Sequence, residues 1–155
     1  MQTAAEVLVA FLAAQGVDRA FCVPGESYVA VLDALHDADI ETVVCRQEGG
    51  AAYMAEAVGK LTGRPGIAMV TRGPGATNAS PGIHIASQAS TPMNLFVGQV
   101  ARDMKEREAF QELDYKAVFG SMAKWVVEIA RAERIPEIIS RAYHVAMQGR
   151  PGPVV

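Results

Sequence analysis

The sequence has little of several features that mark specialised classes of protein. Only 2 of its 155 residues are cysteine, and no stretch approaches the roughly 18–20 consecutive apolar residues of a membrane-spanning helix. Its 14 Lys and Arg residues are scattered along the chain, and the formal net charge is −3. We therefore expect no nucleic acid, no membrane and no disulfide framework to be involved in its function.

The two cysteines, Cys22 and Cys45, each lie in a short apolar run. Their spacing does not match a metal site, so we expect both to be small buried hydrophobic residues in neighbouring strands. The first residues carry no basic region, and Glu6 interrupts the apolar stretch, which is not typical of a secretory signal. A reducing, cytoplasmic location is the expectation.

What the chain does contain is an alternation of helical and strand patterns. Helices are predicted from a Thr3–Glu6 capping box to Gly16, from Ser27, from Glu48 to Leu61, and across Thr77–Ser87 and Ile135–Met147. Strands are predicted over Arg19–Val23, Glu41–Arg46, Gly66–Thr71, Met93–Gly98 and Ala123–Ile129, with another starting at Val154. This order predicts an α/β fold with three layers, a doubly wound and mainly parallel sheet with helices on both faces.

In such a sheet, the loops that follow the strands meet at one edge. These loops are Pro24–Ser27, Arg46–Gly50, Arg72–Asn78 and Gln99–Gln111. A candidate site is expected where they meet. The chain stops two residues into an apolar strand, so residues 1–155 are expected to be one domain cut from a longer protein.

The first candidate group is Glu48, at a strand-to-helix junction in the segment Arg46–Ala52, which reads RQEGGAA. The small residues after it let another surface come close and leave the carboxylate poorly solvated, which favours proton sharing with a partner. A glutamate at this position can equally be a helix-terminal residue stabilised by the macrodipole. The local sequence leaves both interpretations open.

A second candidate is the Thr71–Asn78 segment, TRGPGATN, whose glycines follow a strand and precede a helix. It is neither a Walker motif nor a dinucleotide fingerprint, and taken alone it is consistent with a plain tight turn. The segments Phe21–Ser27 and Ala109–Glu112 are similarly weak when each is taken alone.

Together and in this order, the motifs resemble the N-terminal domain of thiamine-diphosphate enzymes of the acetolactate synthase, benzaldehyde lyase and pyruvate oxidase group. The resemblance covers essentially the whole chain. It is closest to acetolactate-synthase-like proteins through Gly73–Asn78, Phe110–Glu112 and the closing Gly149–Val154.

The resemblance implies a role for Glu48 as the glutamate that bonds to a pyrimidine nitrogen and promotes the imino form of the cofactor, whose amine then takes the thiazolium proton. The remaining cofactor-binding residues implied are Pro24, Gly25, Thr71, Pro74, Gly75, Asn78 and Gln111. Phe110 and Gln111 are implied to face the substrate, a 2-keto acid such as pyruvate. No metal ligand is implied in this chain.

The resemblance also implies parts that this chain does not carry. The family holds Mg²⁺ and the diphosphate through a Gly-Asp-Gly motif followed by Asn-Asn on a C-terminal domain, and neither motif occurs here. The active site is implied to form with the diphosphate domain of another subunit in a homodimer or homotetramer. The small-residue helix Gly49–Ala57 is our candidate for that contact. In the family FAD is held by a middle domain, and whether this protein binds FAD stays open.

Some residues depart from the family pattern. Gln47 and Tyr53 stand where many members have His, and Ala89 replaces a frequent acidic residue. His84 is expected to be a hydrogen-bonded interior helix residue rather than a catalytic one, and the other two histidines are expected to be surface or packing residues.

Three alternatives to an acetolactate-forming enzyme remain. A sister reaction, catalysed by a 2-keto acid decarboxylase, an oxidase or an aldehyde lyase, would depend on residues outside this chain. A non-catalytic regulatory module would have no chemical need for Glu48. A nicotinamide-binding domain would carry the glycine fingerprint and acidic ribose ligand that this chain lacks.

Overall fold

Five strands form one sheet in the computed structural model, which describes residues 2–155. They are β1 (Arg19–Cys22), β2 (Glu41–Val44), β3 (Gly66–Val70), β4 (Met93–Val97) and β5 (Pro153–Val154). Their order is β2-β1-β3-β4-β5, and every neighbouring pair is parallel. The parallel doubly wound sheet predicted from the sequence is therefore confirmed.

Within residues 2–155, seven helices cover the two faces of this sheet. They are α1 (Ala4–Ala14), α2 (Val29–His36), α3 (Glu48–Thr62), α4 (Pro74–Asn78), α5 (Ser80–Ala89), α6 (Tyr115–Phe119) and α7 (Ile135–Met147). Short 3₁₀ turns lie at Glu26–Tyr28, Arg102–Met104 and Ala132–Arg134.

Side chains that alternate along each strand enter two separate cores. Phe21 of β1 packs with α3, α4, α5 and α6, whereas its neighbours Ala20 and Cys22 pack with α1, α2 and α7. This alternation follows from the two-residue period of a strand, and it produces the three layers.

The predicted helix signals at the two ends of α1 and at the end of α3 are confirmed. Thr3 and Glu6 form the capping box at the start of α1, and Gly16 is left-handed just after its end. Gly63, with φ 70°, closes α3 in the same way.

The small residues of α3 serve packing within the chain. A methyl group at Gly82 of α5 would overlap Ala52, and one at Gly66 of β3 would overlap the backbone carbonyl of Ala55. A methyl group at Gly59 of α3 would likewise overlap the Pro92 carbonyl. Gly49, Ala51, Ala52 and Ala55 are thus turned inward. The outer face of α3 exposes Tyr53, at 43%, and Met54, and the subunit contact through this helix stays a prediction.

The helix predicted over Thr77–Ser87 is in fact two helices. Helix α4 starts at Pro74, within the predicted loop, and α5 starts at Ser80 after a break at Ala79. Proline has no N–H group, so Pro81 cannot donate the bond that would continue α4 into α5. Pro74 suits a first helical position for the same reason.

The strand predicted over Ala123–Ile129 was also wrong. Only Trp125 forms a bridge, to Val154, and the surrounding backbone bonds to residues 153 and 155. The neighbour of this segment is the two-residue β5, and its Pro153 has no N–H to donate, so a regular ladder does not form.

Candidate functional site

The strand order places a crevice at the carboxyl ends of β1 and β3. The chain leaves β1 toward β2 on one side, and β3 lies on the other, so the loops after β1 and β3 diverge. Ligands of open parallel sheets bind at such switch points. The loops that begin at Pro24 and Thr71 border this crevice, and α3 begins beside it.

Glu48 is the first residue of α3 and is half-buried. The Gln47 side chain caps the helix by accepting a hydrogen bond from the Gly50 N–H at 3.0 Å. The Asn78 amide donates to one oxygen of Glu48, Oε2, at 3.1 Å. The other oxygen, Oε1, lies 3.4 Å from the point where a Cβ of Gly75 would stand, so it faces the glycine turn.

Two glycines surround Thr71 at the centre of this crevice. A methyl group at Gly25 would overlap the Thr71 side chain, and one at Gly75 would lie 2.8 Å from Thr71 Cγ2. Both positions therefore depend on the absence of a side chain. Five of the residues implied by the resemblance come together here, and we call them the pyrimidine-side cluster: Gly25, Glu48, Thr71, Gly75 and Asn78.

Pro24 and Pro74 lie next to this cluster in sequence and are exposed. Pro24 lies two residues after the end of β1, and Pro74 opens α4. They lie at the rim of the crevice rather than within the packed group.

Ser27 ties the loop after β1 to the loop after β3. Its hydroxyl lies 2.8 Å from Thr71 Oγ1 and accepts a hydrogen bond from the Arg72 N–H at 3.2 Å. The helix predicted from Ser27 starts instead at Val29, as α2, and it has no side-chain cap. A hydroxyl next to a Pro-Gly turn indicates a cap by sequence alone, and nothing local identifies a partner 44 residues away.

The loop of residues 99–115, which we call the 99–115 loop, packs on the same Gly73–Gly75 turn. A Cβ at Gly73, where φ is 60°, would lie 2.7 Å from Gln111 Cβ. The Gly73 N–H donates to the Tyr115 hydroxyl at 2.9 Å. Burial raises the pKa of Tyr115, so its hydroxyl stays protonated.

Arg72 joins three segments and is a functional residue that sequence reasoning missed. Its side chain is only 13% exposed and pairs with the Glu26 carboxylate. Its Nε donates to the Phe110 carbonyl at 2.9 Å, and its guanidinium lies 6.0 Å from the centre of the Phe110 ring. The only sequence signal for a role of Arg72 was its position next to a glycine turn.

A cavity of about 450 Å³ opens beside Arg72. The side chains that line it include Ser27, Arg72, Val100, Met104 and Phe110. The Phe110 side chain is 72% exposed at its rim. The predicted substrate-side residues Phe110 and Gln111 thus lie on one loop, with Gln111 on the glycine turn and Phe110 at the cavity.

All three histidines are exposed. His84 is exposed on α5, so its predicted interior position was wrong. His36 and His144 are exposed as well, as surface residues. Among residues 2–155, no three His, Cys, Asp or Glu side chains are grouped so that they could hold a metal ion.

The cysteines are both free thiols. Cys22 is buried as predicted, whereas Cys45, just past β2, is half-buried. Burial raises the pKa of both thiols, which keeps them protonated at neutral pH. Within the described chain, none of the helices has the length and apolar character needed to span a bilayer.

Comparisons with known proteins identify a family and relatives over nearly the whole chain. The family model for the thiamine pyrophosphate enzyme, N-terminal TPP binding domain, matches residues 2–118. The chain is 40% identical, over 96% of its length, to acetolactate synthase of Bacillus subtilis (strain 168). It is 39% identical over 100% of its length to the acetolactate synthase isozyme 3 large subunit of Escherichia coli (strain K12).

A eukaryotic relative shows the same extent of match. The chain is 37% identical over 99% of its length to the mitochondrial acetolactate synthase catalytic subunit of Saccharomyces cerevisiae (strain ATCC 204508 / S288c). It covers 26% of the B. subtilis protein, 27% of the E. coli protein and 22% of the yeast protein. The chain therefore spans about a quarter of the length of these relatives.

Proposed function

The chain belongs to the family of thiamine pyrophosphate enzyme N-terminal domains, and from that premise we propose that it forms the aminopyrimidine side of a thiamine diphosphate site. The enzyme proposed acts on 2-keto acids, with pyruvate as substrate and acetolactate as product. The observation that carries the proposal is the Glu48 carboxylate, held by Asn78 beside a glycine-lined turn at the switch point of the sheet.

The residues of the pyrimidine-side cluster fit the cofactor proposed. Gly25 and Gly75 let the turns after β1 and β3 pack directly on Thr71, so neither residue projects a side chain toward the flat ring proposed to bind there. A ring nitrogen and an exocyclic amine need a proton-sharing group and polar neighbours. Glu48 and Asn78 are such groups, and Pro24 and Pro74 border their approach.

Glu48 is proposed to hold a proton between Oε1 and the ring nitrogen of the aminopyrimidine. Asn78 orients the carboxylate for this by binding its other oxygen, Oε2. Thiamine diphosphate, when bound, supplies the carbon nucleophile that reacts with the keto group of the substrate. Acid–base assistance of this kind is typically worth about a hundred- to ten-thousand-fold in rate.

Gln111 and Phe110 are proposed to contact the substrate. Gln111 offers an amide next to the Gly73 turn, and Phe110 offers an exposed ring beside the cavity at Arg72. A polar and an apolar group side by side suit a 2-keto acid, which has a carboxylate and an alkyl end.

The rest of the site is proposed to come from elsewhere in the assembly. Mg²⁺ and the diphosphate would be held by a C-terminal domain of another subunit in a homodimer or homotetramer, and any FAD by a middle domain. A cytoplasmic location and a place in the synthesis of branched-chain amino acids are further parts of the proposal, and both rest on the acetolactate product proposed above.

The test is thiamine-diphosphate-dependent pyruvate consumption by the full-length protein, with acetolactate measured as product. Glu48→Gln should lower the rate by about a hundredfold or more. Glu137→Gln is the matched control, since Glu137 also lies in the first turn of a helix, α7, on the other face of the sheet. Equal loss in both variants would mean that Glu48 serves only its helix.

The product identifies the reaction within this family. Acetaldehyde, acetate or a split hydroxyketone in place of acetolactate would favour the decarboxylase, the oxidase or the aldehyde lyase. Absence of cofactor binding by the full-length protein would remove the enzyme proposal and favour a regulatory module.

A further inference from the structure

The 99–115 loop contains three residues in a backbone conformation that non-glycine residues rarely adopt. Glu106, Glu108 and Gln111 have φ values of 61°, 54° and 64°. Such residues persist only where surrounding contacts hold them, and they concentrate at functional sites. Something in this exposed segment must therefore hold the backbone in place.

The side chain of Glu112 makes the contacts that hold it. Its Oε1 accepts a hydrogen bond from the Glu106 N–H at 2.7 Å, and its Oε2 accepts one from the Ala109 N–H at 3.2 Å. Backbone hydrogen bonds from Glu106, followed by those from Ala109 and Arg107, hold the pKa of Glu112 below its usual value. The Glu112 carboxylate thus holds the backbone of residues 106–109 in place.

This loop is coupled to the glycine turn by separate contacts. Gln111, directly before Glu112, packs on Gly73. Arg72 binds the Phe110 carbonyl at 2.9 Å, and Tyr115 binds the Gly73 N–H at 2.9 Å. A change in the backbone of residues 106–109 would therefore move Phe110 and Gln111 relative to the turn.

We infer that Glu112 is a positioning residue for the substrate side of the site. Its carboxylate fixes the left-handed turns that present Phe110 and Gln111, while its own side chain contacts neither substrate nor cofactor. The inference rests on the proposed function for what those two residues contact.

The test compares three variants of the full-length protein. Glu112→Gln keeps the size of the side chain but puts an NH₂ donor where an acceptor is needed. Glu112→Asp keeps both acceptor oxygens on a shorter arm. Glu108→Gln is the matched control, because it removes a charge from the same loop and the Glu108 carboxylate makes no hydrogen bond within residues 2–155.

Amide hydrogen exchange across residues 105–112 and steady-state kinetics with pyruvate are measured for each. Glu112→Gln should exchange about tenfold faster or more, as expected when hydrogen bonds to a charged group are lost. The KM for pyruvate should rise by a larger factor than the concentration of thiamine diphosphate at half-saturation, because Phe110 and Gln111 are both proposed to contact the substrate. Glu112→Asp should recover part of both effects, and Glu108→Gln should match the wild type.

Unchanged exchange in Glu112→Gln, or equal acceleration in Glu108→Gln, would overturn the inference. So would a parallel loss of thiamine diphosphate affinity, which would indicate general damage. A wild-type protein without thiamine-diphosphate-dependent turnover would instead refute the proposed function. Hydrogen exchange would then still decide whether Glu112 holds the loop.

Discussion

The two sides of the candidate site are built by different means. The pyrimidine-side cluster lies at the ends of strands and helices, and its shape comes from glycines that leave no room for a methyl group. The 99–115 loop has only one 3₁₀ turn and is held by polar contacts from Glu112, Arg72 and Tyr115. The first side is fixed mainly by steric exclusion and the second mainly by hydrogen bonds, apart from the close approach of Gln111 to Gly73.

This difference determines what each side tolerates. Close packing cannot absorb an added carbon atom without moving backbone. A hydrogen-bonded loop can exchange one contact for another at modest cost. The substrate side can therefore change while the cofactor side stays the same, which suits a family that keeps one cofactor.

The largest effect is expected from a single methyl group on the cofactor side. Gly75→Ala would place Cβ 2.8 Å from Thr71 Cγ2. Overpacking of this kind typically costs about 1–3 kcal/mol, and here it also moves the surface proposed to receive the pyrimidine. A lower melting temperature and weaker thiamine diphosphate binding by the full-length protein should both be observed.

Thr71→Ser tests the cause of that effect. Serine lacks Cγ2 but keeps the hydroxyl that bonds to Ser27. The double variant Gly75→Ala/Thr71→Ser should regain most of the lost stability. If it does not, steric exclusion by Thr71 is not what requires a glycine at position 75.

A smaller effect is expected from the hydrogen bond that orients Glu48. Asn78→Ala removes the donor to Oε2 but leaves the backbone of α4 in place. We expect a loss of about 1 kcal/mol, or roughly fivefold to tenfold, in cofactor-dependent rate, because the pair lies near the surface. A rate equal to that of the wild type would show that Asn78 does not orient the carboxylate.

Arg72→Lys tests the hydrogen bonds that hold the 99–115 loop. Lysine can keep the ion pair with Glu26 but lacks the planar fork that also reaches the Phe110 carbonyl. The expected result is a several-fold rise in the KM for pyruvate with little change in melting temperature. Arg19→Lys, which alters an exposed pair with Glu41 at the other edge of the sheet, is the control and should leave KM unchanged.

The smallest effect is expected on the stability of the fold at high pH. Burial raises the pKa of Cys22 above its ordinary value of 9.0 and also raises the pKa of Tyr28. Groups shifted upward stabilise the fold fully below their ordinary pKa, and this contribution is lost as the pH rises through the folded-state pKa. The melting temperature should fall above about pH 9, and less so in Cys22→Ala. An identical decline in that variant would exclude the thiol as a contributor.

The sequence was sufficient to predict those structural features whose signal lies within a few residues. The capping box at Thr3, the left-handed Gly63 and the apolar strands follow from contacts within a few residues, so the sheet could be predicted. The motif order pointed to Gly25, Glu48 and Asn78, but only the folded chain shows that they lie together. The contacts of Arg72 and Ser27 join residues more than 35 positions apart, and no local pattern encodes them.

Helix α3 offers a position for a spectroscopic label. Its 15 residues span about 22 Å, with Glu48 at one end and Leu61, which is 86% exposed, near the other. A dye attached through Leu61→Cys would lie on the same helix as the Glu48 carboxylate, at the opposite end. Among the thiols of this chain the new one should label first, because it is exposed, whereas Cys22 is buried, Cys45 is half-buried and both have a raised pKa. Distances from that dye would report how closely another subunit approaches the crevice.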